Sequence, residues 1–127
     1  MKQITLSEGE WNIMKLLWQK EPMTLGEIVS ALQNNTGWSK ATVFVMLKRM
    51  IQKGAVRMEE GGRYQQYYPC VSHKDAATEE TASFLSRVYD GSISMLLSSV
   101  AGQKQLSQEE INALRRILDD AEKTGKD

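Results

Sequence analysis

Residues 39–54 read Ser-Lys-Ala-Thr-Val-Phe-Val-Met-Leu-Lys-Arg-Met-Ile-Gln-Lys-Gly, and this stretch decides the fold of the chain. At roughly 100° per residue, a helix over these residues gathers apolar side chains on one side. Ser39 can cap its amino end, and Gly54 can take the left-handed conformation that ends it. The sequence therefore predicts an amphipathic helix with one face in the core. That core face comprises Val43, Met46, Leu47, Met50 and Ile51.

The outer face of this helix is small or apolar near its start and cationic toward its end. Its cations are Lys48, Arg49 and Lys53, and residues 39–54 contain no Asp or Glu. A solvated helix usually mixes both signs of charge, so this composition favours a polyanion as partner, although an ordinary surface helix is the common alternative. The predicted outer face comprises Ala41, Thr42, Val45, Lys48, Arg49 and Gln52.

The bulk composition is typical of a small globular protein. The 127 residues have the length of one ordinary domain, or of a small domain with an extension, and can bury a core. The single cysteine, Cys70, cannot form an internal disulfide, which fits a reducing compartment. No leader segment or membrane-length apolar run is apparent. We therefore expect a cytoplasmic protein without membrane insertion.

The net charge of zero hides an asymmetry along the chain. Residues 1–71 contain nine Lys/Arg against six Asp/Glu, a net charge of +3, whereas residues 72–127 contain seven against ten, a net charge of −3. The first part can therefore meet phosphate while the second part meets something else.

Two capping boxes precede the central helix. The first, Ser7 to Glu10, opens a helix to about Lys20, and the second, Thr24 to Glu27, opens a short helix that closes near residues 34–35. A compact turn containing Gly37 then leads into the central helix. This order predicts a helix-turn-helix.

The periodicity changes to that of strands after Gly54. Residues 55–60 and 63–68 read as two strands across a Gly61-Gly62 turn, and Pro69 ends the second. Three helices followed by a hairpin predict a winged helix-turn-helix. The wing is expected to carry Arg57 and Arg63 toward the DNA backbone.

Beyond residue 71 the pattern is purely helical. Ser72 can cap a helix through about Val88, a second helix runs from Ser92 to about Ala101, and a third begins with a capping box at Ser107. Residues 123–127 are expected to fray. These helices have more apolar surface than a small winged helix can cover, which favours pairing with a second copy over folding back on a monomer. The predicted dimerisation residues are Phe84, Leu85, Val88, Ile93, Leu96, Leu97, Val100, Ile111, Leu114 and Leu118.

The fold class predicted is mainly α with a small β-hairpin. We assign residues 1–71 to a winged helix-turn-helix DNA-binding domain and residues 72–127 to a helical dimerisation region.

Short motifs also occur in a fixed order along nearly the whole chain. They are LSEGEW (6–11), MKLLW (14–18), GWS (37–39), TV (42–43), KGA (53–55), GR (62–63), YYP (67–69), FL (84–85), YDGS (89–92) and LSQEEINALRRIL (106–118). No single motif is decisive, but the ordered set is specific. Together they resemble the penicillinase and methicillin-resistance repressors, the BlaI/MecI/CopY family.

The resemblance implies a sequence-specific transcriptional repressor that acts as a homodimer on a palindromic DNA operator. Members that govern β-lactam resistance are inactivated when a membrane-anchored sensor protease causes cleavage in the dimerisation segment. The matching position here is Ser99-Val100, where those relatives carry Asn-Phe. The copper-responsive branch binds metal through cysteines near its carboxy end, and this chain has none there.

The DNA-contacting residues are expected on the central helix and the wing. The resembling proteins tend to have polar residues where this chain has Ala41, Phe44 and Val45, which can pack on thymine methyl groups instead. We expect Thr42 and Val45 at base edges and the cations at phosphate. The predicted DNA-binding residues are Ser39, Lys40, Ala41, Thr42, Val45, Lys48, Arg49 and Arg63.

Other chemistry finds little support in the sequence. Cys70 and His73 have the spacing of half a metal site, but the chain has one Cys and one His in total, so we expect no metal, no cofactor and no enzyme. Two alternatives remain open: a winged helix that binds a protein, and a repressor that senses a ligand instead of a protease.

Overall fold

The computed structural model describes residues 4–103 and 105–125. The chain is mainly helical with one small antiparallel sheet, as predicted. The helices are α1 (Glu8–Gln19), α2 (Leu25–Thr36), α3 (Lys40–Lys53), α4 (His73–Tyr89), α5 (Ile93–Gln103) and α6 (Gln108–Gly125). The strands are β1 (Met23–Thr24), β2 (Val56–Gly61) and β3 (Tyr64–Pro69).

The described residues form two compact units. The first extends up to Ser83 and the second begins at Phe84, so the division falls inside α4. The first turns of α4 therefore pack with the winged helix, although the sequence changes to a purely helical pattern already at residue 72.

Side-chain caps fix where the first three helices begin. Ser7 Oγ accepts the N–H of Glu10 at 3.2 Å, and Glu10 Oε1 accepts the N–H of Ser7 at 2.8 Å. Thr24 and Glu27 repeat this arrangement at the start of α2. Ser39 Oγ accepts the N–H of Thr42 at 3.2 Å at the start of α3. The predicted capping residues are confirmed, and they fix helix starts because each satisfies backbone donors that have no partner within the helix.

The sheet has one strand more than the predicted hairpin. Its order is β1-β3-β2, all antiparallel, and Met23 of β1 pairs with Tyr67 of β3. Two residues after a proline carry too little alternation to be recognised as a strand from sequence. The hairpin pairs Gly61 with Tyr64, so its two-residue loop is Gly62-Arg63 and not the predicted Gly61-Gly62. Gly62 has a φ of +77°, which suits a tight hairpin turn.

The core of the first unit lies where α3 packs against α1 and α2. Gly9 of α1 allows a close approach, because a Cβ built there would lie 3.0 Å from Met46 Cε and 3.2 Å from Trp38 Cη2. Ile51, predicted to face the core, is exposed. The buried apolar residues are Leu6, Ile13, Met14, Leu17, Met23, Ile28, Leu32, Val43, Leu47, Met50, Ala55, Val56, Tyr67 and Ala76.

The start of α4 is attached to α1 through tryptophan. Trp18 Nε1 donates to the carbonyl oxygen of Val71 at 2.8 Å, and its ring meets that of His73 edge-on at 5.0 Å between centroids. Trp11 meets Trp18 in the same manner at 5.6 Å. His73 is thus an aromatic packing partner.

The second unit consists of helices with little interior. Neither α5 nor α6 contains a buried residue among those described. Asp90 and Gly91, both with positive φ, end α4 as predicted. The helix α6 continues to Gly125, so the predicted fraying is wrong for residues 123–125, and residues 126–127 lie outside the described part.

The carboxy-terminal cap of α3 makes a testable prediction about stability. Gly54 and Gly26 both have open space around the position of a Cβ, but only Gly54 has a positive φ, +86°. Gly54→Ala should lower the free energy of unfolding by about 1 kcal/mol, because an L side chain is strained in the left-handed region. Urea unfolding measures the change. Gly26→Ala, the matched control in α2, should be neutral or stabilising, and equal losses in both variants would contradict the argument.

Candidate nucleic-acid interface

The outer face of α3 is a continuous exposed surface. Val45 is 53% exposed, and Phe44, beside it, is 40% exposed. Both therefore lie outside the core although they are apolar. The seven predicted contact residues on and before this helix are all exposed, namely Ser39, Lys40, Ala41, Thr42, Val45, Lys48 and Arg49.

The first turn of α3 uses its hydroxyl groups within itself. Ser39 Oγ donates to Thr42 Oγ1 at 3.1 Å while it accepts the N–H of Thr42. The hydroxyl hydrogen of Thr42 remains available to an external acceptor. Thr42 can therefore add one hydrogen bond to a molecule that lies along α3.

The cations on this face lie beside an aromatic ring. Lys48 Nζ lies 5.4 Å from the centroid of the Phe44 ring, a favourable cation–π arrangement one helical turn apart. Arg49 follows Lys48 on the exposed side. The second half of the outer face therefore presents positive charge next to apolar surface.

The wing and α3 border a common cleft of about 600 Å³. Arg63 lies at the tip of the hairpin, with its guanidinium 5.6 Å from the centroid of the exposed Tyr64 ring. From the sequence, Arg63 was expected at phosphate and Phe44 was expected to be able to pack on thymine methyl groups, whereas Tyr64 was not predicted for this surface. The residues that line the cleft are Thr24, Leu25, Gly26, Lys40, Phe44, Glu60, Arg63, Tyr64, Gln65 and Tyr67.

Arg57 lies on the face of the sheet that points away from the cleft, contrary to the prediction that the wing carries it toward the DNA backbone. Successive residues of a strand point to opposite faces, so Arg57 is on the face opposite to Val56, which is buried. Its Nε donates to Glu59 Oε2 at 2.8 Å, and its guanidinium lies 4.1 Å from the centroid of the Tyr68 ring. The hydrogen bond to Glu59 raises the pKa of Arg57. Arg57 is therefore held away from the cleft.

Lys53 was also predicted to extend the cationic face, and this is wrong. Its Nζ donates to Glu10 Oε1 and to the carbonyl oxygen of Thr5. Glu10 is 1% exposed. Burial alone would raise the pKa of Glu10, but the hydrogen bonds from Lys53 and from the N–H of Ser7 outweigh it and hold that pKa below its ordinary value. The sequence could not show this pair, because its members are 43 residues apart.

The predicted dimerisation residues lie on α4, α5 and α6 in the second unit. Several are strongly exposed, with Ile93 at 61% and Leu118 at 57%. Phe84, Val88 and Val100 are also exposed. The remaining members are half-buried, namely Leu85, Leu96, Leu97, Ile111 and Leu114.

Two further findings concern metals and membranes. Among residues 4–103 and 105–125, no group of three or more His, Cys, Asp or Glu side chains is placed to hold a metal ion. None of the helices within those ranges combines the length and apolar character needed to cross a bilayer.

The first unit has three helices, α1 to α3, followed by a β-hairpin that β1 extends to three strands. This arrangement, with α3 exposed on its outer side, defines a winged helix-turn-helix protein. The family model for the penicillinase repressor matches residues 6–120. The chain belongs to the penicillinase repressor family and is a transcriptional repressor.

Individual relatives agree with this assignment. A penicillinase repressor of Bacillus licheniformis is 34% identical over 121 residues, which cover 94% of each chain. The methicillin resistance regulatory protein MecI of Staphylococcus aureus is 29% identical over 92% of this chain and 95% of its own.

Two solved structures of a relative each cover part of this chain. The Bacillus licheniformis BlaI monomeric form in complex with the blaP half-operator is 33% identical, with a TM-score of 0.52 over 59% of this chain and 93% of that one. A solution structure of the BlaI DNA-binding domain matches equally well.

The Glu10–Lys53 pair predicts a pH-dependent stability. Lys53→Met should lower the free energy of unfolding at pH 7 by about 3 kcal/mol, because it leaves a buried carboxylate uncompensated. The pKa of Glu10 is lowered on folding, so the contribution of the pair is present above the ordinary value of 4.5 and is lost as the pH falls through the folded value. Urea unfolding from about pH 7 to about pH 3, in steps of roughly half a pH unit, measures the free energy of unfolding of the variant and of the unaltered chain.

The difference in free energy of unfolding between Lys53→Met and the unaltered chain should therefore become smaller in acid. Lys48→Met, on the same helix but exposed, is the matched control and should leave stability nearly unchanged. A gap that stays constant with pH would contradict the assigned role of Glu10.

Proposed function

We propose that this repressor binds operator DNA sequence-specifically, with α3 in the major groove and one protomer on each half-site. The observation that carries the proposal is the outer face of α3, which is exposed along its whole length, cationic toward its end and without acidic residues. A helix with such a face matches the size of the major groove and the charge of its walls. A relative in its monomeric form is in complex with a half-operator, which supports binding of one protomer to each half-site.

Phosphate contacts are assigned to the exposed cations around α3. Lys48 and Arg49 lie on the second half of the helix, and Lys40 and Arg63 border the cleft toward the wing. Such contacts fix the position of the protein on the duplex and add affinity without sequence information.

Base contacts are assigned to the first turns of α3. Thr42 offers a hydroxyl donor, Val45 offers an apolar side chain, and the small Ser39 and Ala41 permit close approach. These residues are expected to supply the sequence preference.

A homodimer is proposed through the second unit, within residues 72–127. The apolar side chains of α5 and α6 are exposed or half-buried in the single chain, which is unfavourable in water for so many residues in a short segment. A twofold partner would bury them and set two copies of α3 on a palindromic site.

Relief of repression by proteolysis is proposed at Ser99-Val100. This bond lies within α5, which has no buried side chain among its residues and can therefore unfold locally at little cost. Cleavage there would separate α6 from the rest of the chain. A membrane-anchored sensor protease system would then be the partner that starts the process.

Salt dependence tests the phosphate contacts. Affinity for duplex DNA is measured by fluorescence anisotropy from about 50 to about 300 mM salt, and it should fall steeply as the salt concentration rises. Arg49→Ala and Arg63→Ala should each reduce the slope of log affinity against log salt by about 1 per protomer. A protein-docking winged helix would bind no duplex at all, which would overturn the proposal.

Arg57→Ala is the matched control for this series. Arg57 lies on the opposite face of the sheet and is paired with Glu59, so its removal should leave the slope unchanged. An equal loss of slope in Arg57→Ala would mean that the wing meets DNA through its other face.

The proposed dimer is tested by placing a charge in its interface. Leu118→Asp should raise the dimer dissociation constant at least about tenfold in sedimentation, because a carboxylate is costly to bury against apolar groups. Asn112→Asp is the control, since it puts the same group about 120° round α6 from Leu118. Loss of the dimer in the control, or its persistence in Leu118→Asp, would contradict the assigned interface.

A further inference from the structure

An exposed apolar patch occupies the outer side of the first two turns of α3. Ala41, Phe44 and Val45 form it, since residues three and four apart are neighbours on a helix surface. Phe44 is not part of the core, although the sequence pattern there is dense in apolar residues. We refer to these three residues as the apolar patch.

The apolar patch cannot recognise a base by hydrogen bonding. None of its three side chains carries a donor or an acceptor. The nearest hydroxyls are partly used, because Ser39 donates to Thr42 and caps the helix. Any discrimination made by the patch must therefore come from shape and apolar contact.

Charge around the patch selects its occupant. Lys40 lines the same cleft as Phe44, and Lys48 lies 5.4 Å from the Phe44 ring. Arg49 completes a cationic border on the next turn. An apolar surface framed by cations fits a polyanion that displays apolar groups, and the major groove of DNA does so at the C5-methyl group of thymine.

We propose that the apolar patch makes this repressor a reader of pyrimidine C5-methyl groups, with Phe44 and Val45 as the specificity-determining residues. This inference rests on the proposed function. Since the patch senses only the methyl group, 5-methylcytosine should serve it in the same way as thymine, while uracil and unmethylated cytosine should not. Cytosine methylation within a half-site would then tighten binding.

The test uses the full chain and a duplex that it selects from random DNA. At the position of strongest thymine preference, two pairs of duplexes are compared, thymine against uracil and 5-methylcytosine against cytosine. Each pair differs by one methyl group. Both should show about fourfold tighter binding of the methylated base, equivalent to burial of one methyl group at ~0.8 kcal/mol.

Variants connect this methyl effect to the patch. At least one of the variants Phe44→Ala and Val45→Ala should reduce both affinity ratios, methylated base over unmethylated base, to near one. Phe44→Leu keeps an apolar side chain and should retain both ratios. Ile51→Ala is the matched control, because Ile51 is an exposed apolar residue of α3 outside the patch. Thermal melts establish that each variant is folded.

The outcomes separate the two proposals. A chain that binds its selected duplex equally well with thymine or uracil at every position overturns the inference and leaves the repressor function intact. A methyl effect that survives in both alanine variants also overturns it. If the chain binds no duplex at about 50 mM salt, the lower end of the titration, the proposed function itself is overturned.

Discussion

The structure depends on the burial of one face of α3. Val43, Leu47 and Met50 are fully buried, and they fix the rotation of the helix about its own axis. At about 25 cal/mol per Å² of apolar surface, turning them outward would cost several kcal/mol, more than contacts on the outer face could offset. The orientation of the outer side chains of α3 is thus set by residues in the core.

The same packing sorts the cations of the first unit into two groups. Lys53 and Arg57 have carboxylate partners, Glu10 and Glu59. Lys48 and Arg49 stay on the exposed side of α3. Net charge alone would count all four as equal contributors to a positive field, whereas the carboxylates of Glu10 and Glu59 offset the charges of Lys53 and Arg57.

The second unit poses a different physical problem. Its helices α5 and α6 are amphipathic enough to form, with Ser92 and Ser107 each accepting a backbone N–H at a helix start. They nevertheless bury few of their apolar side chains. Helix formation and burial are therefore separate in this segment: the first is local, and the second requires another surface.

The sequence by itself determined the helices, their caps, the hairpin and the exposed identity of Val45, Lys48 and Arg49, because capping and periodicity act over a few residues. Only the tertiary structure decided that β1 joins the sheet, that Arg57 points away from the cleft and that Lys53 binds Glu10. The tertiary structure also brings Phe44 and Tyr64 together along one cleft. These features depend on which distant segments meet, and that is settled by packing the whole unit, where small differences in burial outweigh local preference.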